Sequence, residues 1–256
     1  MLCGRNLYAF IGVKWYGLVY HSQWGYKKMF FINKKNEDRK KQLKSILGIA
    51  QRIIDKSETS DNFLHPIYRY INGIGLSVLQ RLLMQLFTGQ EVDDVEVLFI
   101  DLGRDVKDNN NEYIYKSVSI ENNGEMSISL KDNLVIPVAW NIDRFESAIT
   151  RIGADCEDPF EFDKLNHRSI LFLPIGITIV YNGNHSILSG IIKREGIIHP
   201  TEVVDLAPLY EKARFDGIHY RDNESNQVIQ EVRNFELGAI YEIGRLLIKN
   251  DISFLG

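Results

Sequence analysis

Pro174–Arg194, PIGITIVYNGNHSILSGIIKR, is the stretch on which the reading of this chain turns. Ile177–Tyr181 is rich in β-branched residues and reads as a strand. Asn182-Gly183-Asn184 then turns the chain, and a helix is predicted at once over His185–Glu195. Gly183 can take backbone angles that other residues resist, and Asn184 or His185 can cap the helix. The first N–H groups of such a helix have no internal partner, so with the helix dipole they form a ready anion site. His185 stands where it could donate to a phosphate or carry a proton near neutral pH. Ser189 and Gly190 are small and let the helix lie close to a neighbour. A strand–Asn-Gly–helix corner is also a common way to turn, with His185 capping its own helix. The local pattern alone does not separate these readings.

Around this corner the chain alternates short β and helical patterns. Ile170–Leu173 reads as a strand and Pro174–Gly176 as a turn. Leu134–Trp140 (LVIPVAW) is a β segment, and Asp143 is placed to cap a helix over Arg144–Ile152 that Gly153 ends. Gly153–Asp163 is an acidic loop; Asp155, Glu157, Asp158, Glu161 and Asp163 suit Mg²⁺ or plain solvent. Cys156 sits in that loop, poor company for a thiolate. His167-Arg168, just before the strand, could face the same pocket or lie on the surface. Downstream, Glu202–Leu206 is a last strand, Asp216-Gly217 with His219 has turn chemistry, and Asn226–Leu247 carries helical spacing.

Upstream, Val95–Leu102 and Tyr113–Ile120 read as strands, and Asn122-Asn123-Gly124 is a hairpin turn that returns Met126–Leu130 against the second. The first part of the chain is helical in pattern. Lys34–Lys44 (KKNEDRKKQLK) opens a helix with an apolar stripe at Leu43, Ile46, Leu47, Ala50, Ile53 and Ile54. His65-Pro66 introduces a second helix, Ile67–Phe87, stopped by Gly89. Gly73 and Gly75 inside it mark a close contact or a break, since each costs about 1 kcal/mol against Ala. Met1–Lys28, rich in Tyr, Trp and Gly, has two readings: a β-hairpin-like arm, or sequence upstream of a natural start at Met29.

Composition narrows the class. The 256 residues are 45% hydrophobic and 25% charged, which is ordinary globular usage. Two cysteines make neither a disulfide framework nor a zinc set and suit a cytoplasmic setting. The net charge of −4 argues against blanket nucleic-acid affinity but leaves a local basic patch open. The most apolar run, Ser169–Tyr181, is too short to span ~30 Å of hydrocarbon as a helix. No Walker A loop, nucleophile elbow or H-E-x-x-H occurs.

The order of a β segment with a short helix (Leu134–Ile152), the strand Ile177–Tyr181, the N-G-N-H loop with its helix, and Pro200–Leu206 resembles the ParB/sulfiredoxin-like fold. Members of that fold carry a D-G-x-H-R-x-x-A-type signature on the loop between strand and helix. Gly183 and His185 agree with it; Asn182 stands in place of the Asp, Ser186 in place of the Arg, and Ser189 at the small position. The likeness covers roughly Val135–Tyr210. It implies an α+β fold, with an arm over residues 1–28, a helical region over 29–92 and a ParB/sulfiredoxin-like mixed-sheet domain over 93–256. It further implies a site gripping nucleotide phosphates, formed by Asn182, Gly183, Asn184, His185 and Ser186, with His185 as the catalytic candidate and Arg168 as a further ligand. Losing the Arg removes a bidentate phosphate partner, so turnover is expected to be weak or absent. Sulfiredoxin chemistry is set aside, because its catalytic Cys would fall at Asn184. Glu231–Glu242 is similar to the helix that completes the nucleotide site in ParB-type proteins, with Arg233 and Glu242 as candidates.

Three expectations follow. The first is binding of a nucleoside triphosphate with Mg²⁺, and no resident metal. The second is a nucleic-acid nuclease or clamp tethered through Lys34–Lys44, which the net charge does not favour. The third is a non-catalytic module of bacterial or phage origin that binds a protein partner through its helical half. None involves a membrane.

Overall fold

A computed structural model describes residues 11–57, 64–92, 107, 119–121, 126–156 and 158–254, with side chains for these apart from 11–33 and 119–121. Helix α1 (Ile11–Lys56) and helix α2 (Ile67–Phe87) precede the sheet. The strands β1 (Ser119–Glu121), β3 (Leu134–Pro137), β4 (Arg168–Leu173), β5 (Ile177–Asn182) and β7 (Glu202–Asp205) form one sheet in the order β1-β7-β4-β5-β3. The protein is thus α+β, with helices first and a mixed sheet after. Helices α3 (Ile142–Arg151) and α4 (Asn184–Lys193) follow β3 and β5, and α5 (Ala207–Lys212) follows β7.

Alternation of side chains splits the sheet into two apolar faces. Leu134, Ile136, Ile170, Phe172, Ile177, Ile179 and Val204 point into the larger core, with residues of α1, α2 and α6 (Phe235–Lys249). Val135, Leu171, Val180 and Val203 point the other way, onto Ile187 of α4 and onto Ile128 and Ile198. These two belong to the short strands β2 (Ile128–Ser129) and β6 (Ile197–Ile198), which pair antiparallel. Leu43, Ala50 and Ile54 of α1 and Ile67, Ile71 and Val78 of α2 share the larger core with the sheet. Among the described residues no helix is long and apolar enough to cross a membrane.

Gly75 explains itself. A Cβ there would overlap the methyl groups of Leu134 on β3, so the glycine is a close helix–strand contact, while at Gly73 nothing lies within 4 Å. Gly89, at φ +66°, follows the end of α2 as a stop.

Several local expectations are corrected. The backbone from Ile11 is helical through Lys56, so an N-terminal β-hairpin-like arm is not seen there. Among the described residues Met126–Leu130 does not pair with Ser119–Glu121: Ser119–Glu121 pairs with Glu202–Val204, and Ile128–Ser129 pairs with Ile197–Ile198, while the rest of the expected partner strand lies outside the described residues. Asn141, not Asp143, caps α3, its side chain accepting the Arg144 N–H at 2.9 Å. Val228–Glu231 is a strand, β10, in a second sheet with β8 (Ala213–Phe215) and β9 (His219–Asp222). The helix begins only at Phe235, because Val228, Gln230 and Glu231 pair with Arg221, Tyr220 and His219 of β9, with a bulge between Val228 and Gln230. The expected strand Val95–Leu102 and the Asn122–Gly124 turn lie outside the described residues.

Candidate functional site

β3 and β5 are parallel, so α3 and α4 leave the sheet at the same, carboxyl, edge. In open α/β sheets that edge is where ligands bind. The chain turns from β5 into α4 through Gly183 at φ +77° and ψ 21°, a left-handed conformation that glycine reaches cheaply. No side chain caps α4 at this end. The first-turn N–H groups therefore carry the positive end of a ten-residue helix without a capping oxygen.

Each predicted residue has a definite place. Asn182 is exposed at the end of β5, and its ladder partner across the sheet is Arg168, also exposed. Asn184 is buried instead of open, and its Oδ1 accepts the Val138 N–H at 2.8 Å, tying the loop after β3 to α4. His185 is half-buried, and its Nε2 accepts the Asn141 N–H at 3.3 Å, so a neutral ring carries its proton on Nδ1. Burial holds the His185 pKa below the ordinary histidine value, and the Arg144 cation adds to that. Ser186 does not offer a spare hydroxyl in place of the missing guanidinium. Its Oγ donates to the Gly183 carbonyl at 3.0 Å and faces His167 Nε2 at 2.8 Å.

Two neighbours, Trp140 and Arg144, were not singled out from the sequence. Trp140, 58% exposed, lies edge-on to His185 with ring centroids 4.9 Å apart. The Arg144 guanidinium lies 5.9 Å from the Trp140 ring centroid. His167, for which the sequence left pocket and surface both open, is buried beside Gly183. The one signal that could have drawn attention to Trp140 was a large aromatic immediately after an apolar strand.

Other candidates do other work. Ser189 Oγ contacts the carbonyls of Ala148 and Ile152 at 3.3 Å, so the small residues do bring α4 against α3. Arg233 is exposed at the approach to α6, which packs on the opposite sheet face from α4. Glu242 is buried, its Oε1 accepting the Phe215 N–H at 2.7 Å and its Oε2 accepting from Arg245 Nε at 3.1 Å. That carboxylate fastens α6 to β8. In the acidic loop, Asp155 pairs with Lys193 at 2.6 Å, and the same ammonium lies 2.9 Å from Cys156 Sγ, so a cation stands beside the sulfur. Among the described residues no group of three His, Cys, Asp or Glu side chains is placed to hold a metal ion.

A family model matches residues 27–254, most of the chain. The chain belongs to the family of unknown function DUF6710. Comparison of this DUF6710 chain with curated proteins and with solved structures finds no match in either set. The corner at Gly183 lies well inside the matched span.

Proposed function

We propose that the DUF6710 chain binds the phosphate groups of a nucleotide at the carboxyl edge of β3 and β5, with weak or absent turnover. The observation that carries this reading is the uncapped start of α4, entered through left-handed Gly183 and flanked by exposed Arg144, Arg168 and Trp140. Amides at a helix start favour anions, guanidinium groups bind phosphate oxygens in pairs, and an exposed indole offers a face for a base to stack on. The ParB/sulfiredoxin-like order of elements around Gly183 and His185 supports the same ligand class, a nucleoside triphosphate with the Mg²⁺ its phosphates carry. Arg144 and Arg168 supply the charge that Ser186 lacks. Turnover is weak in this reading because Asn182 stands where a carboxylate would hold metal or act as base. His185 Nε2 is also already committed to the Asn141 N–H.

Titration calorimetry with CTP, ATP and GTP, each with and without Mg²⁺, tests the proposal. Heat from at least one nucleotide, lost in the Arg144→Ala/Arg168→Ala double variant and weakened in Trp140→Ala, is the expected result. Absence of heat from all three overturns it.

A second reading adds a polyanion along α1. Lys34, Lys35, Lys40, Lys41 and Lys44 are exposed, and none forms an ion pair among the described residues. Lys34, Lys35, Asp38, Arg39 and Gln42 line a surface hollow of about 370 Å³. Duplex DNA binding that falls steeply with salt and disappears in Lys40→Glu/Lys41→Glu would support it. No binding at low salt would remove it.

A further inference from the structure

His167 is only 4% exposed although it lies in a connection between elements. Its ring stacks on Phe160, with centroids 5.3 Å apart and planes 11° from parallel. It also meets Phe162 at 5.8 Å, and Phe162 in turn meets His199 at 5.0 Å. The Asp163 N–H donates to His167 Nδ1 at 3.0 Å, so the proton of the neutral ring sits on Nε2. Nε2–H then donates to Ser186 Oγ at 2.8 Å, and the Ser186 hydroxyl donates onward to the Gly183 carbonyl. The Asn166 carbonyl and His167 Cα lie 3.0 and 3.1 Å from where a Gly183 Cβ would stand. The segment from Pro159 to His167 is thus seated on the start of α4, and the polar chain closes only with His167 neutral.

We propose that His167 is the positioning residue of the Gly183 corner: neutral, it holds the Pro159–His167 segment on α4; protonated, it releases that segment. The functional consequence, a pH-dependent phosphate site, rests on the nucleotide reading above; the latch itself does not. A proton on Nδ1 would face the Asp163 N–H, two donors without an acceptor, and an imidazolium 4% exposed beside two phenyl rings has lost its water.

The charged groups around it act in both directions. Asp163, on the same segment, favours the charged ring, but burial outweighs it and the His167 pKa lies below the ordinary value. The Asp163 carboxylate is itself engaged by the N–H groups of Leu165 and Asn166. Glu161 and Lys164 are exposed on the segment, and Arg168 is exposed at the start of β4. From the start of α4 the ring meets Gly183 and Ser186, both neutral, and His199 makes its ring contact with Phe162. Release therefore falls below the usual histidine titration.

Hydrogen exchange read by mass spectrometry over residues 158–168 and 182–188 tests the latch, at pH 7.5 and 5.5 with rates corrected for intrinsic chemistry. His167→Gln cannot titrate and keeps an amide donor for Ser186 Oγ at the end of the side chain. In the wild type, protection of both segments should fall by up to about tenfold per pH unit once the ring titrates, while His167→Gln stays protected at both pH values. His167→Ala should be unprotected at both. Parallel loss in wild type and His167→Gln, or no loss in either, overturns the proposal. Calorimetry with tripolyphosphate at the same pH values adds a second arm, with affinity falling at pH 5.5 in the wild type and unchanged in His167→Gln. If no ligand gives heat at either pH, the phosphate reading fails while the exchange result still decides the latch.

Discussion

Asn184 Oδ1 accepts the backbone N–H of Val138 at 2.8 Å, so the loop leaving β3 and the helix leaving β5 are held in one piece. The bond spans 46 positions of sequence and is shielded from water, because Asn184 is 5% exposed. Buried polar groups keep such partners because an unpaired N–H costs far more than the bond returns.

Asn184→Ala should therefore lower stability by about 0.5–1.5 kcal/mol, the net worth of a hydrogen bond whose Val138 end is half-buried. Asn184→Asp keeps the acceptor and sets a negative charge at a helix start, and should lose much less. Urea unfolding of the three proteins gives the comparison; equal losses would mean the Val138 contact is not what Asn184 provides.

Glycines two positions apart on α2 should respond with opposite sign. Gly73→Ala meets nothing within 4 Å and should stabilise the helix by about 0.5–1 kcal/mol. Gly75→Ala drives a methyl into Leu134, which is 2% exposed and has little room to move, and should cost about 1–3 kcal/mol. Thermal melting of both variants checks the sign of each.

Stability should fall as the solution becomes weakly acidic. Burial holds the pKa values of His65 and His167 below the ordinary histidine value, and burial followed by the Arg144 charge does so for His185. Below pH ~6.5 the unfolded chain then binds more protons than the folded one, so stability rises with pH through this range. It is complete above the unfolded value and lost as pH falls through the lowered folded values. Urea midpoints measured from pH 8 to pH 5 should decline on this schedule, and His65→Gln should flatten part of the slope. His65 Nδ1 accepts the Ile67 N–H at 3.1 Å, a contact that protonation breaks at the start of α2.

Glu242 should behave as a structural carboxylate. Glu242→Ala strips the Phe215 N–H of its acceptor and leaves Arg245 without its carboxylate, at a cost of about 2–3 kcal/mol. Glu242→Gln restores the first contact and should recover about half. If neither change moves the melting temperature while nucleotide binding is lost, Glu242 acts on ligand and this assignment is wrong.

The corner itself was readable because its signals are local. Ile177–Tyr181 as a strand, the Asn-Gly turn and the helix after it depend on β-branching, on positive φ at Gly183 and on the apolar spacing that follows. The two helices at the start showed their stripes for the same reason, and so did the glycine at the end of α2. Helical spacing at Val228–Val232 misled because apolar residues there also satisfy a strand, and only pairing with β9 decides between the two.

Which side chains are spent on the scaffold and which remain open was written nowhere in the local pattern. Asn182 and Asn184 are the same residue type two positions apart, yet one is exposed beside Arg168 and the other is buried against Val138. Ser186 and His167 are 19 positions apart and neutralise each other's hydrogen-bonding capacity. Propensity acts over a few neighbouring residues and is legible from them, whereas burial and hydrogen-bond partners depend on which distant segment the folded backbone brings within about 3 Å.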